Sequence, residues 1–294
     1  YYELIDGDIK WYTDQINRIE IIPRILILIS NWINFYQFYF IITSLIIIYF
    51  IFKTIVRNSL DKKLSTLIFI CFPTFFFMSL TVIRQYVAVV ILFYSFEYIK
   101  KRKFWSFFLV VVFCSIIHKS AFFALPLYFI YGNFIDKKII LLIYITSFFS
   151  SNILAFIVSI SSERYSIYLN EIGGEGGNLI LIFFQVFGLF LIPLVYNFRD
   201  KKDKDFNFYL LSYFVGLFIW GSLSKFGHAG VRGSLYYMIF IILLIPHLKL
   251  KIKEYKIINQ SFYILCFLFF FINLYIGSKH RIKDPNLPYQ TYFF

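Results

Sequence analysis

Ile83-Arg84-Gln85-Tyr86-Val87-Ala88 opens a stretch that stays apolar to Glu97, meets Lys100-Lys101-Arg102-Lys103, runs apolar again from Phe104 to Ile117 and stops at His118-Lys119-Ser120. Two apolar runs joined by four consecutive cations read as membrane helices with a cytoplasmic turn, because Lys and Arg accumulate in the loops that stay inside. Arg84 and His118 then lie together at the outer ends. The runs between these two groups and the basic turn hold 15 and 14 residues, so each rises only about 22 Å against a hydrocarbon core of roughly 30 Å. Both polar groups are therefore expected below the outer membrane surface. An arginine at that depth is costly unless it faces a wet cavity, which favours a functional Arg84 over one that snorkels to the headgroups.

Composition agrees with this class. With 60% hydrophobic, 23% aromatic and 15% charged residues and a mean hydropathy of +0.73, the chain is more apolar than a soluble globule. The apolar runs lack the ten-residue alternation of outer-membrane barrels, so the spans are expected to be helices. A net charge of +13 raises the question of nucleic acid. The cations come as short clusters between apolar runs, which is the signature of topology instead. Cys71, Cys114 and Cys266 all fall in apolar segments, without metal spacing, and no disulfide is expected. There is no Walker sequence, no GxGxxG, no His-Glu-x-x-His and no paired-cysteine zinc motif, so no cofactor or metal is expected.

The chain opens on Tyr1-Tyr2 without an initiator Met, as expected of a fragment whose full-length form has eleven or more spans. Residues 1–20 are polar, and 21–34 suggest an interfacial or partly inserted helix entered at Pro23. Spans are predicted at 35–55, 64–82, 85–99, 104–117, 121–135, 139–160, 179–197, 207–224, 233–247 and 257–276, about ten in a single polytopic domain, 1–294. Alternate loops hold 18 of the 29 Lys and Arg, and that denser set is assigned to the cytoplasm, with both ends of the chain outside. The outer face then carries an external loop, 161–178, whose Gly173-Gly174-Glu175-Gly176-Gly177 hinge suits closure over a substrate. It also carries the glycine-rich turn Lys225–Gly233 with Arg232, and the external tail 277–294 with Lys279, His280, Arg281 and Lys283. On the inner side, Asp200, Asp203 and Asp205 alternate with lysines and read as a solvated loop. Glu97 beside the basic cluster and His247 after Pro246 read as structural. What remains is an outward-facing cavity lined by Arg84, His118, Lys119 and Arg232. Arginine pairs bidentately with phosphate, so a lipid phosphate or pyrophosphate of the outer leaflet is the expected ligand.

The run Ile83–Ala88, the basic turn and Ile117-His118-Lys119-Ser120-Ala121 resemble the EpsG-like branch of the Wzy polysaccharide polymerases, with their I-R-Q-x-x-A helix and H-x-S turn. Gly7-Asp8 with Tyr12, then Glu20, then Arg164 and Tyr168 in the large loop, Arg232 before Tyr236-Tyr237 and Pro246, and the late Pro288-Tyr289 follow in the family's order. Departures are Ile9 where the family prefers Tyr, and Gly7 directly abutting Asp8. The resemblance implies a GT-C-like polytopic bundle in the bacterial cytoplasmic (inner) membrane. It implies a glycosyltransferase that joins undecaprenyl-pyrophosphate-linked repeat units into O-antigen, capsule or exopolysaccharide, alongside a flippase and a chain-length regulator and without nucleic acid. On that reading the catalytic residues are His118, Asp8 and Arg84, with His118 the base and Asp8 its competitor. Substrate is held by Arg84, Gln85, Lys119, Ser120, Arg164, Tyr168, Arg232 and Tyr289, with Arg84 and Arg232 on the pyrophosphate. Asp6-Gly7-Asp8 also matches the Asp-x-Asp metal signature of other glycosyltransferases, but a donor that carries a lipid pyrophosphate speaks against a metal. A lipid-linked oligosaccharide flippase or a membrane O-acyltransferase would also use an outward polar cavity. Transporters usually show repeat symmetry, and no repeat is visible here.

Overall fold

The computed structural model describes residues 19–72, 74–133, 136–161, 178–198, 202–226, 228–251, 260 and 262–271, and every regular element among them is helical. In chain order these are α1 Ile21–Trp32, α2 Gln37–Asn58, α3 Lys62–Cys71, α4 Phe76–Thr81, α5 Ile83–Tyr94, α6 Phe96–Lys100 and α7 Phe104–Ile117. A 3-10 segment Lys119–Ala124 follows, then α8 Leu127–Ile130, α9 Lys137–Ser161, α10 Asn178–Phe198, α11 Lys204–Ser222, α12 Ala229–Met238 and α13 Ile241–Lys251. The last described helix is α14, Phe262–Phe271.

Gln37–Asn58 and Lys137–Phe156 are long and apolar enough to cross a membrane, and α12 with α13 qualify together as a pair bent by 51°. Other apolar helices, such as α1, α7 and α14, are shorter than the roughly 20 residues a straight span needs. Their outward faces are nonetheless apolar. Trp105, Leu109, Phe113 and Ile116 form an exposed stripe on α7, and Phe149, Ile153 and Phe156 do so on α9. Rows of bare aromatic and aliphatic side chains at helical spacing suit lipid as the solvent, so this is a membrane protein.

Besides 233–247, which bends between α12 and α13, three predicted spans are interrupted, each where the local chemistry breaks the helical ladder. The 64–82 segment divides between Cys71 and Phe76, around the sequence position of Pro73, a residue type without the N–H that a helix needs. The 85–99 segment turns at Ser95, whose hydroxyl donates to the Leu92 carbonyl at 2.7 Å. The 121–135 segment begins instead at Lys119 as a 3-10 helix. Pro126 cannot donate to Phe122, and the amide of Leu125 takes that carbonyl at 3.0 Å. α7 keeps its predicted limits, and the chain turns back at His118, which has an extended backbone (φ −156°, ψ 120°). The other end of this hairpin is tied by Arg102, which sits at φ 55°. Its guanidinium donates to the carbonyls of Tyr128 and Tyr131 at 3.0 and 2.8 Å, and the Tyr128 hydroxyl returns a bond to the Arg102 carbonyl.

α11 is the central helix, buried without interruption from Phe206 to Phe214, as expected for a helix apolar all round. Phe208 stacks on Phe96 at 4.8 Å and meets Phe240 edge-on at 4.9 Å, joining α6, α11 and the α12–α13 bend. α9 lies so close to α11 that a Cβ on Gly221 would sit 2.1 Å from the Ser147 carbonyl oxygen. Pro246 leaves the Ile242 carbonyl without its helical donor. The Ser65 hydroxyl of α3 replaces it at 2.6 Å.

At the end marked by the basic turns, the charges pair. Asp61 caps α3 through the Leu64 amide and binds Lys249 at 2.6 Å and the Tyr263 hydroxyl at 2.9 Å. Lys100 reaches Glu97 at 3.0 Å, in keeping with a structural Glu97. The reading of the Asp/Lys alternation as a solvated loop needs correction. Asp203 caps α11 and pairs with Lys251 at 2.8 Å, and Asp205 accepts from the Tyr131 hydroxyl, because both half-buried carboxylates lie within reach of neighbouring helix ends. Asp200 lies outside the described residues. His247 is buried with Nδ1 on the Leu243 carbonyl at 3.1 Å, a structural placement. The three cysteines are free and buried.

Candidate functional site

α5 begins at Ile83, so its first turn presents Arg84 and Gln85 at the end of the bundle where α7 stops. Arg84 is half-buried, and its Nη1 donates to Glu20 Oε2 at 2.7 Å. The other oxygen of the same carboxylate, Oε1, lies 3.1 Å from His118 Nδ1. One carboxylate therefore bridges a guanidinium and an imidazole that are 34 residues apart in sequence and belong to separate helices. Glu20 is positioned by its place at the N-cap of α1, where its extended backbone (φ −61°, ψ 158°) turns the side chain toward α5 and α7. Burial pushes its carboxyl up, but its own backbone hydrogen bond and the charges of Arg84 and His118 outweigh that and hold it below the usual range. It is ionised at neutral pH.

An ionised carboxylate only accepts, so Nδ1 is the protonated nitrogen of His118, and in the neutral ring Nε2 carries the lone pair. Gln85 is buried and donates from Nε2 to the Arg232 carbonyl at 2.7 Å, which draws the start of α12 against α5. The Ser120 hydroxyl lies 2.9 Å from that of Tyr236, fixing the hairpin tip to the same helix. Arg232 and Lys119 are exposed at this end. Arg84, Gln85, His118, Ser120 and Arg232 are thus gathered in one place. Asp8, Arg164, Tyr168 and Tyr289 lie outside the described residues.

One expectation changes in this geometry. From the sequence, Arg84 and Arg232 are expected to line one cavity and to share an anionic ligand, with no protein anion between them. Arg232 is exposed, and Arg84 has a protein counter-ion in Glu20. From the sequence alone, Glu20 is only an acidic residue in the family's order and carries no role. The usable signal was charge balance, since a half-buried arginine calls for an anion and Glu20 stands at the start of an apolar helix. Among the described residues, no three His, Cys, Asp or Glu side chains converge on a metal position, and Asp6 and Asp8 lie outside them.

No curated protein and no solved structure matches the chain. A family model does: the one described as the EpsG family covers residues 1–291, and with the Ile83–Ala88 helix and the His118 turn meeting at one site, the chain belongs to the EpsG family.

Proposed function

We propose that this protein is a Wzy-type polymerase of the bacterial cytoplasmic membrane, joining undecaprenyl-pyrophosphate-linked oligosaccharide repeat units at the outer face during surface polysaccharide synthesis. The observation that carries the reading is the Glu20 carboxylate shared by Arg84 and His118. Family membership supports a role in polysaccharide biosynthesis. In the reaction, a hydroxyl oxygen of the acceptor sugar bonds to the anomeric carbon of the donor sugar, the bond from that carbon to the lipid pyrophosphate breaks, and the pyrophosphate leaves with the electron pair. His118 Nε2 takes the hydroxyl proton. Glu20 holds the ring through Nδ1 and stabilises the imidazolium that forms, the logic of a nucleophile–base–carboxylate array. Arg84 and Arg232 stabilise the charge on the leaving pyrophosphate, with Lys119 beside them. Gln85 and Ser120 act as positioning residues through Arg232 and Tyr236. The whole chain is one polytopic domain of about ten spans in this reading. The external loop 161–178 and tail 277–294 bring Arg164, Tyr168 and Tyr289 to the substrate, Asp8 is the reserve base, and a flippase and a chain-length regulator are the partners.

His118→Ala tests this. Purified variant given undecaprenyl-linked repeats in detergent is expected to bind them like the parent while the joining step slows by roughly two to four orders of magnitude. Long chains at near the parent rate would remove His118 as the base and leave Asp8. A parent protein that makes no chains but moves lipid-linked repeats across vesicles would replace the polymerase reading with the flippase.

A further inference from the structure

Arg84 stands at the head of an apolar groove of about 250 Å³ bounded by α1, α2, α5 and α7. Its walls include Leu26 of α1, Tyr39, Ile46 and Phe50 of α2, Ile91 of α5 and Phe113 of α7. Thr43 also faces it, with its hydroxyl bonded back to the Tyr39 carbonyl at 2.8 Å. From Tyr39 to Phe50 the helix rises about 16 Å. α2 and α5 lie side by side along that length, with the Phe50 ring against Tyr94 at 5.2 Å. A ligand matching this shape is an amphiphile, with an anion at Arg84 and a single hydrocarbon chain descending from it.

We infer that the groove holds the first isoprene units of the polyprenyl chain of a lipid-linked pyrophosphate, with the pyrophosphate at Arg84, an assignment that rests on the polymerase reading above. The volume exceeds the roughly 150 Å³ that accommodates a benzene ring in an apolar cavity, yet suits one chain rather than the two of a glycerophospholipid. Glu20 takes one of the five N–H donors of the Arg84 guanidinium, leaving others for phosphate oxygens. Arg232, exposed near the same site, offers a second cation to a diphosphate, where a phosphodiester presents a single charge. The surrounding lipid is as apolar as the groove, so selectivity comes from packing and from this anchor rather than from the hydrophobic effect.

The test uses the full chain in detergent with undecaprenyl pyrophosphate carrying a diazirine in its second isoprene unit. Crosslinks are expected in α2, α5 and α7. Ile46→Trp, which fills the groove, is expected to weaken undecaprenyl pyrophosphate binding roughly tenfold, whereas Leu142→Trp on the exposed face of α9 leaves it unchanged. If Ile46→Trp does not fold, the crosslink map of the parent decides alone. Crosslinks elsewhere in a parent that still polymerises would overturn the groove and spare the polymerase. Equal competition by a dioleoyl phospholipid would also overturn it, by making this an ordinary lipid site. A parent that neither binds the probe nor makes chains takes both assignments down together.

Discussion

Glu20 is the anion of the site, and it serves two residues at once. Replacing it by Gln keeps an oxygen that can accept from His118 Nδ1 but removes the charge that favours imidazolium. Glu20→Gln is therefore expected to lower the joining rate at least tenfold, and to move the acid limb of its pH profile to lower pH, because less negative charge near His118 lets the ring lose its proton at lower pH. A rate loss with an unshifted limb would mean that Glu20 only holds the fold. At the opposite end, Asp61 offers a cleaner measure of an ion pair. Burial raises its carboxyl, but hydrogen bonds from Lys249, the Leu64 amide and Tyr263 hold it below the usual range. A depressed folded value means stability that is present above the ordinary carboxylate range and is lost as pH falls through the folded value. Asn caps a helix as well as Asp, so Asp61→Asn isolates the charge. The variant should melt lower than the parent at pH 7, by the equivalent of about 1 kcal/mol, and the two curves should converge in strong acid.

The helices are held in register by groups that their own ladders leave over. Pro246 frees the Ile242 carbonyl, Ser65 supplies the missing donor, and the Ser59 hydroxyl lies 2.7 Å from that of Ser65, so three elements hang on one deleted N–H. Ser65→Ala is expected to destabilise the protein by about 1–3 kcal/mol, the cost of a buried carbonyl without a partner. Adding Pro246→Ala restores a donor within α13. The double variant should melt above Ser65→Ala, and equal melting temperatures would show that the Ser65 bond is incidental. The same dependence on a missing atom appears at Gly221, where α9 and α11 approach too closely for any side chain.

For the whole molecule, the distribution of cations makes a prediction about orientation. Lys101 lies in the dense set of basic loops and Lys119 at the tip of the hairpin between α7 and the 3-10 segment, so they should be on opposite sides of the membrane. Single cysteines placed at each position in a chain lacking its native three should react with an impermeant maleimide from outside at 119 and not at 101. Outside labelling at 101 would invert the map, and with it the site at Arg84.

Much of this architecture is legible in the residues alone. The apolar runs, the cation clusters between them, the limits of α7 and the turn at His118 follow from periodicity and charge, since a chain in lipid must satisfy its backbone within each helix. Site candidates were legible as polar groups in apolar surroundings, and Arg84, Gln85, His118, Ser120 and Arg232 are gathered at one end of the bundle. What only the tertiary structure decided is who pairs with whom. Glu20 lies 64 residues from Arg84 and 98 from His118, and no local pattern encodes contacts at that separation. The breaks at Ser95 and before Pro126 depend on carbonyls that neighbouring groups happen to satisfy, and the groove beneath Arg84 exists because four helices fail to close around it. Sequence sets each helix and its depth through local transfer energies. Packing between helices sets their rotation and partners, and it is rotation that turned a motif residue, Glu20, into the counter-ion of the site.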